Sequence, residues 1–301
     1  MLENVKNEFK SRDRAISVLS KDGLFRAVFV KNNNTINTAK QNHNLNLYPA
    51  IMLSKTLTAT TMMSMFLKGE ERIIADINMN NKITKIYAEV LHTGECRGFV
   101  KENTNNNPNN NSNNCDTPLL KVSRILYNHI TPIIGIVPLN NFDIEDAFNS
   151  YFLQSEQTQS FIILNTYADN SQIINSNGIL IQAMPNATQS QIDNIKNQML
   201  NIKKRNILNS IKYTISPEID ESLSELLPFN FDIIKNRQID FYCRCSKENF
   251  KNKLITLGIE EIKDMENKGH SELICQFCSK KHHLSSADFK DIINQIIASS
   301  N

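Results

Sequence analysis

Apolar residues along this chain fall into two rhythms: dense short runs in the first two thirds and spaced stripes in the last third. The dense runs, bounded by turn residues, predict strands at 24–30 behind the turn Asp22-Gly23, at 73–79 and 83–90 around Asn80-Asn81, and at 133–137, 161–167 and 178–183. Between them, 49–68 has helical spacing, with Pro49 at its start and Gly69 past its end, and 143–155 reads as another helix. Glycines at both ends of 94–98 predict a turn carrying Cys96.

After Pro185 the rhythm changes. Thr188-Gln-Ser-Gln191 is a capping-box signal, and Ile192, Ile195, Met199 and Ile202 follow at heptad-like spacing as one apolar stripe. Ser216-Pro217-Glu218 opens a further helix with Ile219, Leu223 and Leu226 on one face and Pro228 at its end. Such helices must bury their stripe against a neighbour. Beyond them, Ser246 caps a helix carrying Phe250, Leu254 and Leu257, which Gly258 stops. Residues 273–284 read as two strands joined by a knuckle, and 285–298 as a final helix.

The pattern predicts an α+β protein in three parts: an N-terminal mixed sheet-and-helix domain over 1–187, a helical linker over 188–238, and a small C-terminal domain over 239–301. Residues 103–114 are an asparagine tract with no apolar residue, expected to be a disordered surface loop. The segment containing Met52, Leu53, Leu57, Met62, Met63, Met65 and Phe66 reads first as a core helix and second as an adaptable, methionine-rich docking face. Ser155, Glu156 and Gln157 have no partnering nucleophile or histidine pattern and are expected to be structural.

Chemistry concentrates in four cysteines, Cys243-Arg-Cys245 and Cys275-Gln-Phe-Cys278. Two close pairs separated by a foldable span are the spacing of a tetrahedral zinc site. Four thiolates close the coordination sphere and leave no position for a catalytic water. His270-Ser-Glu272 matches the H-x-E of zinc deaminases only superficially, because the paired P-C-x-x-C is missing. His282 and His283 could serve as ligands, but flanking lysines and a hairpin position suggest a solvated edge. Either a permanent structural ribbon or an oxidation-sensitive switch fits these residues, since zinc-bound thiolates are the form that oxidants attack. Cys96 and Cys115 stand apart and are read as incidental.

Composition narrows the alternatives. A net charge of +2 gives no argument for a nucleic-acid or membrane partner. No stretch approaches ~18 consecutive apolar residues, and the N-terminus lacks the apolar core of a signal peptide, so a cytoplasmic, reducing compartment is expected. No G-x-G-x-x-G or G-x-x-x-x-G-K-[ST] occurs, which removes the usual phosphate-cradling enzymes.

Taken together, several segments resemble one family. The cysteine pattern, Tyr151-Phe152-Leu-Gln-Ser155-Glu156-Gln157-Thr158 (Y-F-x-x-S-E-Q), Asn177-Gly178-Ile-Leu-Ile-Gln182-Ala-Met-Pro185 (G-G-x-x-x-Q-x-x-P with Asn177 replacing the first glycine) and Gly94-Glu-Cys-Arg97-Gly98-Phe are similar to the thirty-three-kilodalton heat-shock protein family of redox-regulated holdase chaperones. They span nearly the whole chain in the family's order, and the asparagine tract stands out as an insertion.

The resemblance implies a non-enzymatic, ATP-independent activity. The reduced protein would hold one zinc ion through Cys243, Cys245, Cys275 and Cys278 and be inactive. Oxidation would form the disulfides Cys243–Cys245 and Cys275–Cys278, release zinc, unfold the C-terminal domain and free the linker. A homodimer would then hold unfolded client proteins, and the stripe Ile192, Ile195, Met199 and Ile202 is the candidate client-binding surface. The competing expectations are a static zinc ribbon binding RNA or a protein partner, and an enzyme using thiolate chemistry.

Overall fold

The computed structural model describes residues 12–79, 82–103, 117–210, 223–224 and 226–299. The expectations for 104–114, Cys115, the turn Asn80-Asn81 and the helix opening at Ser216 lie outside these residues. The chain divides into two compact units, 1–242 and 243–301. No helix among the described residues is long and apolar enough to cross a membrane.

In the first unit, among the described residues, two sheets carry the fold. The first is five-stranded, built from β1 (Arg14–Ser20), β2 (Phe25–Lys31), β8 (Ser160–Asp169), β9 (Gln172–Ala183) and β10 (Phe231–Gln238), in the order β10-β1-β2-β9-β8. The second is six-stranded, from β3 (Arg72–Asn78), β4 (Ile83–Leu91), β5 (Glu95–Glu102), β6 (Leu119–Ile125), β7 (Ile133–Pro138) and β11 (Asp240–Phe241), in the order β11-β5-β4-β3-β6-β7. The short helix α1 (Asn33–Asn42) leads into α2 (Leu47–Ser64), which packs against β2, β8 and β9 of one sheet and β3, β4 and β5 of the other. The α+β architecture expected from the sequence is therefore present.

Because α2 is covered on all sides, 14 of its 18 residues are buried, polar ones included. Its hydroxyls solve their burial by bonding back along the helix: Thr56 donates to the Met52 carbonyl, Thr58 to Ser54 and Thr60 to Thr56. The methionine-rich segment is therefore core, and Met52, Met62, Met63 and Met65 are not a docking face. Where α2 presses on β9 there is no room for a side chain: a Cβ on Gly178 would lie 2.6 Å from Met62 Cε and 2.7 Å from the Ile163 carbonyl oxygen. Gly178→Ala should cost ~1–3 kcal/mol through overpacking, read as a melting temperature lower by several degrees.

The start of α1 is capped from a distance. Its preceding residue Asn32 makes no side-chain cap, and Asp13 instead accepts hydrogen bonds from the Asn34 and Thr35 backbone N–H groups, at 3.2 and 2.6 Å. Burial pushes the Asp13 carboxyl up to about 6, against the opposing pull of those bonds. A carboxyl raised above its ordinary value contributes most below that ordinary value and loses its contribution as pH rises through the folded one. Between pH 4.5 and 7, wild-type stability should therefore fall by about 2 kcal/mol more than that of Asp13→Asn, in paired urea melts. Identical pH dependence in the two proteins would refute the shift.

Helix α3 (Ile144–Gln154) starts at Asp143, whose carboxylate accepts from the Glu145 and Asp146 N–H groups. Glu145 is buried, accepts from the Leu164 backbone N–H at 2.9 Å, and pairs with Lys203 of α4 (Gln189–Lys204). Glu156 of the S-E-Q segment pairs with Arg124 at 3.3 Å, in line with a structural role.

The capping box at Thr188 and Gln191 forms, and Ile192, Ile195, Met199 and Ile202 are all buried. They lie on the first sheet against Ile16, Val18, Phe25, Ala27 and Phe29, with Leu208, Leu223, Leu226 and Leu227 extending the same cluster. The end of this segment, α5 (Ile207–Ser210), is held by amides. Asn177 Nδ2 donates to the Leu208 carbonyl at 2.8 Å, Asn175 Nδ2 donates to the same oxygen at 3.1 Å, and Asn165 Nδ2 donates to Asn209 Oδ1 at 2.7 Å. Asn177, which stands in place of the family's glycine, is thus one of the fastenings.

Two expectations change here. Residues 231–238, expected within a helical linker, are strand β10, paired antiparallel with β1. Residues 239–242, expected to open the C-terminal domain, belong to the first unit: Ile239 is buried in its main core, and β11 pairs parallel with β5.

Candidate metal centre

The second unit holds α6 (Lys247–Leu254), α7 (Ile259–Asn267), the hairpin β12 (Glu272–Ile274) and β13 (Lys281–His283), and α8 (Ser286–Ser299). Gly258, at φ 94°, turns the chain between the first two helices as expected. Among the described residues, the buried apolar cluster of this unit is small, Ile262, Leu284, Phe289, Ile292 and Ile296, with partly buried residues such as Leu254, Ile259 and Leu273 packed against it. Lys247 pairs with Asp288 and Lys251 with Asp291, so ion pairs join α6 to α8, and Lys251 also pairs with Glu248 on its own helix.

The four cysteines converge in this unit, and their sulfurs all lie within 4.8 Å of one another. Cys243 and Cys245 arrive just ahead of α6, whose N-cap Ser246 accepts from the Asn249 N–H at 3.1 Å. Cys275 and Cys278 sit in the tight turn between β12 and β13, where the Ser279 N–H donates to the Cys275 carbonyl at 2.8 Å and the Cys275 N–H to the Lys280 carbonyl at 3.0 Å. Two sulfur pairs, Cys243–Cys275 at 3.7 Å and Cys245–Cys278 at 3.5 Å, cross from one segment to the other.

Tetrahedral zinc with sulfur at ~2.3 Å requires sulfur–sulfur edges of about 3.8 Å, so the donor set and its spacing fit that ion. The thiol environments differ. Burial raises Cys245 and Cys278. Burial also acts to raise Cys275, but hydrogen bonds from the Phe277 and Cys278 backbone N–H groups, together with those from the Cys243 and Cys278 side chains, outweigh it and hold this thiol below its ordinary value.

Not every histidine expectation holds. His283 is exposed and lies 3.6 Å from Glu272, a solvated edge as expected. His282 is buried, with Nε2 3.4 Å from Cys245 Sγ. Strand alternation explains the difference, because β13 reads exposed, buried, exposed. Cys96 also differs: it is not in a turn but on strand β5, fully buried, donating to the Asp240 carbonyl at 3.4 Å, and burial pushes its thiol far up. A thiol so held is unreactive.

A family model described as Hsp33 protein matches residues 13–285. A 33 kDa chaperonin of Staphylococcus carnosus is 30% identical over 303 residues, covering 96% of this chain and 100% of its own. One from Streptococcus thermophilus is 27% identical, covering 94% and 99%. The crystal structure of the 33 kDa chaperonin from Thermotoga maritima shares the fold with a TM-score of 0.81, covering 95% of this chain and 99% of its own at 22% identity.

Proposed function

This chain belongs to the Hsp33 family, and from that premise we propose that it is a chaperone that holds unfolding proteins without ATP and is switched on by oxidation. The observation that carries the reading is the four-sulfur centre set in a unit with only a handful of buried apolar side chains. A core that small is marginal by itself. Zinc, when bound, keeps all four sulfurs as thiolates and supplies on the order of 10–16 kcal/mol of apparent binding free energy on which folding of the unit can draw.

With peroxide as oxidant, the Cys243 and Cys245 thiolates together give up two electrons, an S–S bond forms, and the peroxide O–O bond breaks, taking up two protons from solvent to leave two waters. Cys275 and Cys278 react likewise with a second peroxide. All four sulfurs are close enough for other pairings. A bridge between the segments, however, would staple 243–245 to 275–278 and keep the unit closed, because a cross-link restricts the unfolded ensemble. Near-neighbour disulfides withdraw the ligands and leave the intervening chain free to open.

Downstream, the surface to be exposed is the stripe Ile192, Ile195, Met199 and Ile202 together with the sheet residues it covers. Unfolded clients are the partners, held by an oxidised homodimer, in the reducing cytoplasm where such a switch has meaning. The ribbon-for-RNA alternative is weakened by charge: Lys247, Lys251 and Lys281 are each paired with a carboxylate.

The test follows zinc release and suppression of client aggregation together, before and after peroxide at raised temperature. Loss of zinc with a gain of holding activity, reversed by reductant, supports the switch. Zinc retained under peroxide with no holding activity would leave a static ribbon.

A further inference from the structure

Beside the sulfur cluster stands a nitrogen donor that the cysteine spacing does not include. His282 is 8% exposed, and its Nε2 lies 3.4 Å from Cys245 Sγ. Its ring packs on Phe250, with centroids 5.2 Å apart and planes at 47°. The backbone position is fixed too: His282 lies opposite Leu273 in the β12–β13 hairpin. The four sulfurs form a mutually close set, and His282 stands next to it rather than within it.

We propose that His282 is a reserve metal ligand for the place held by Cys245, an inference that rests on the metal-site reading above. With all four thiolates present, the ring donates its Nε2–H to the Cys245 sulfur, the second-shell contact that metal ligands commonly have. Removing that sulfur leaves a gap directly against an imidazole nitrogen. Three thiolates and one imidazole are a standard closed zinc set, with nitrogen at ~2.0–2.1 Å. The ring needs only to advance into the vacated space, and burial, strand pairing and Phe250 have already removed most of its freedom. Cys278 sits in the knuckle turn, 3.5 Å from Cys245, and it is the Cys245 sulfur that His282 touches. The four positions are therefore unequal, and Cys245 is the replaceable one.

The experiment titrates the reduced full-length chain with Co2+ alone, reading the tetrahedral d–d bands and the intensity of the sulfur-to-cobalt charge-transfer band. Cys245→Ala should bind one Co2+ with the charge-transfer intensity of three thiolates, and within ~10–100-fold of wild-type affinity. Cys278→Ala should bind far more weakly. Adding His282→Phe, which keeps the packing on Phe250, should abolish tetrahedral binding in the Cys245→Ala background, whereas in the four-thiolate chain it should keep the four-thiolate charge-transfer intensity and weaken Co2+ binding by no more than ~10–100-fold.

The proposal is overturned if Cys245→Ala binds no better than Cys278→Ala, or if His282→Phe changes nothing in the Cys245→Ala protein. A wild-type chain that takes up no Co2+ would remove the metal-site reading itself, and this one with it. Wild-type binding with failure only in Cys245→Ala removes the reserve ligand alone.

Discussion

The Cys275→Ser protein is expected to lose its zinc and, with it, the folded state of the second unit, while the first unit stays folded. Spread over four ligands, the ~10–16 kcal/mol of a structural zinc site amounts to about 3–4 kcal/mol for each thiolate, or on the order of 10²–10³ in affinity. The cost is uncompensated at this position, where the Phe277 and Cys278 N–H groups are arranged around a sulfur held below its ordinary thiol value. With so few buried side chains in the second unit, a loss of that size exceeds what the apolar core can absorb. Cys243→Ser should behave in the same way. Metal analysis of the purified variants, with amide dispersion in an NMR spectrum, checks both halves of the expectation. Unchanged zinc content in the two variants would sink the ligand assignment.

Ile195→Asp is expected to produce a protein that holds clients without any oxidant and still carries one zinc. Ile195 is 3% exposed on the first sheet, in the middle of the stripe on α4. A carboxylate there loses the apolar contact and must either be neutralised or leave the interface, at a cost on the order of 3–5 kcal/mol. Besides Ile192, Met199 and Ile202, whose packing depends on the same seating of the stripe, what holds α4 is the Lys203–Glu145 pair and the amides that grip α5. The stripe should therefore lift, exposing Phe25, Ala27 and Phe29 of β2 together with Ile16 and Val18 of β1. Client aggregation assays and dye binding to exposed apolar surface on the reduced protein read the outcome, with zinc content as control. A zinc-loaded Ile195→Asp protein that neither binds dye nor holds clients would show that this surface is not the one the switch controls.

The parts of this molecule that were readable in advance are those specified by neighbours in sequence. The capping box at Thr188, the stripe it starts, the cap at Ser246 and the two cysteine pairs depend on spacings of a few residues, and all are found. β10 was unreadable because none of its residues is fully buried, so its side chains carry no alternating burial pattern, and only backbone pairing with β1 defines it. Gly98 misled in the opposite direction. It suggested a turn, yet it is a strand glycine required by close approach, since a Cβ there would lie 2.5 Å from the Tyr87 carbonyl oxygen. His282 and His283 are adjacent and chemically identical, and only the pleat of β13 sends one inward and the other to solvent.

The amides that hold α5 make its attachment insensitive to salt and to mild changes of pH. Asn165, Asn175, Asn177 and Asn209 bind one another and the Leu208 carbonyl without a formal charge. Neutral hydrogen bonds are neither screened by electrolyte nor titrated between mild acid and mild base, in contrast to an exposed ion pair. A cell whose internal salt or acidity drifts under osmotic or metabolic stress would thus leave this one fastening unchanged, even where ion pairs such as Lys203–Glu145 weaken.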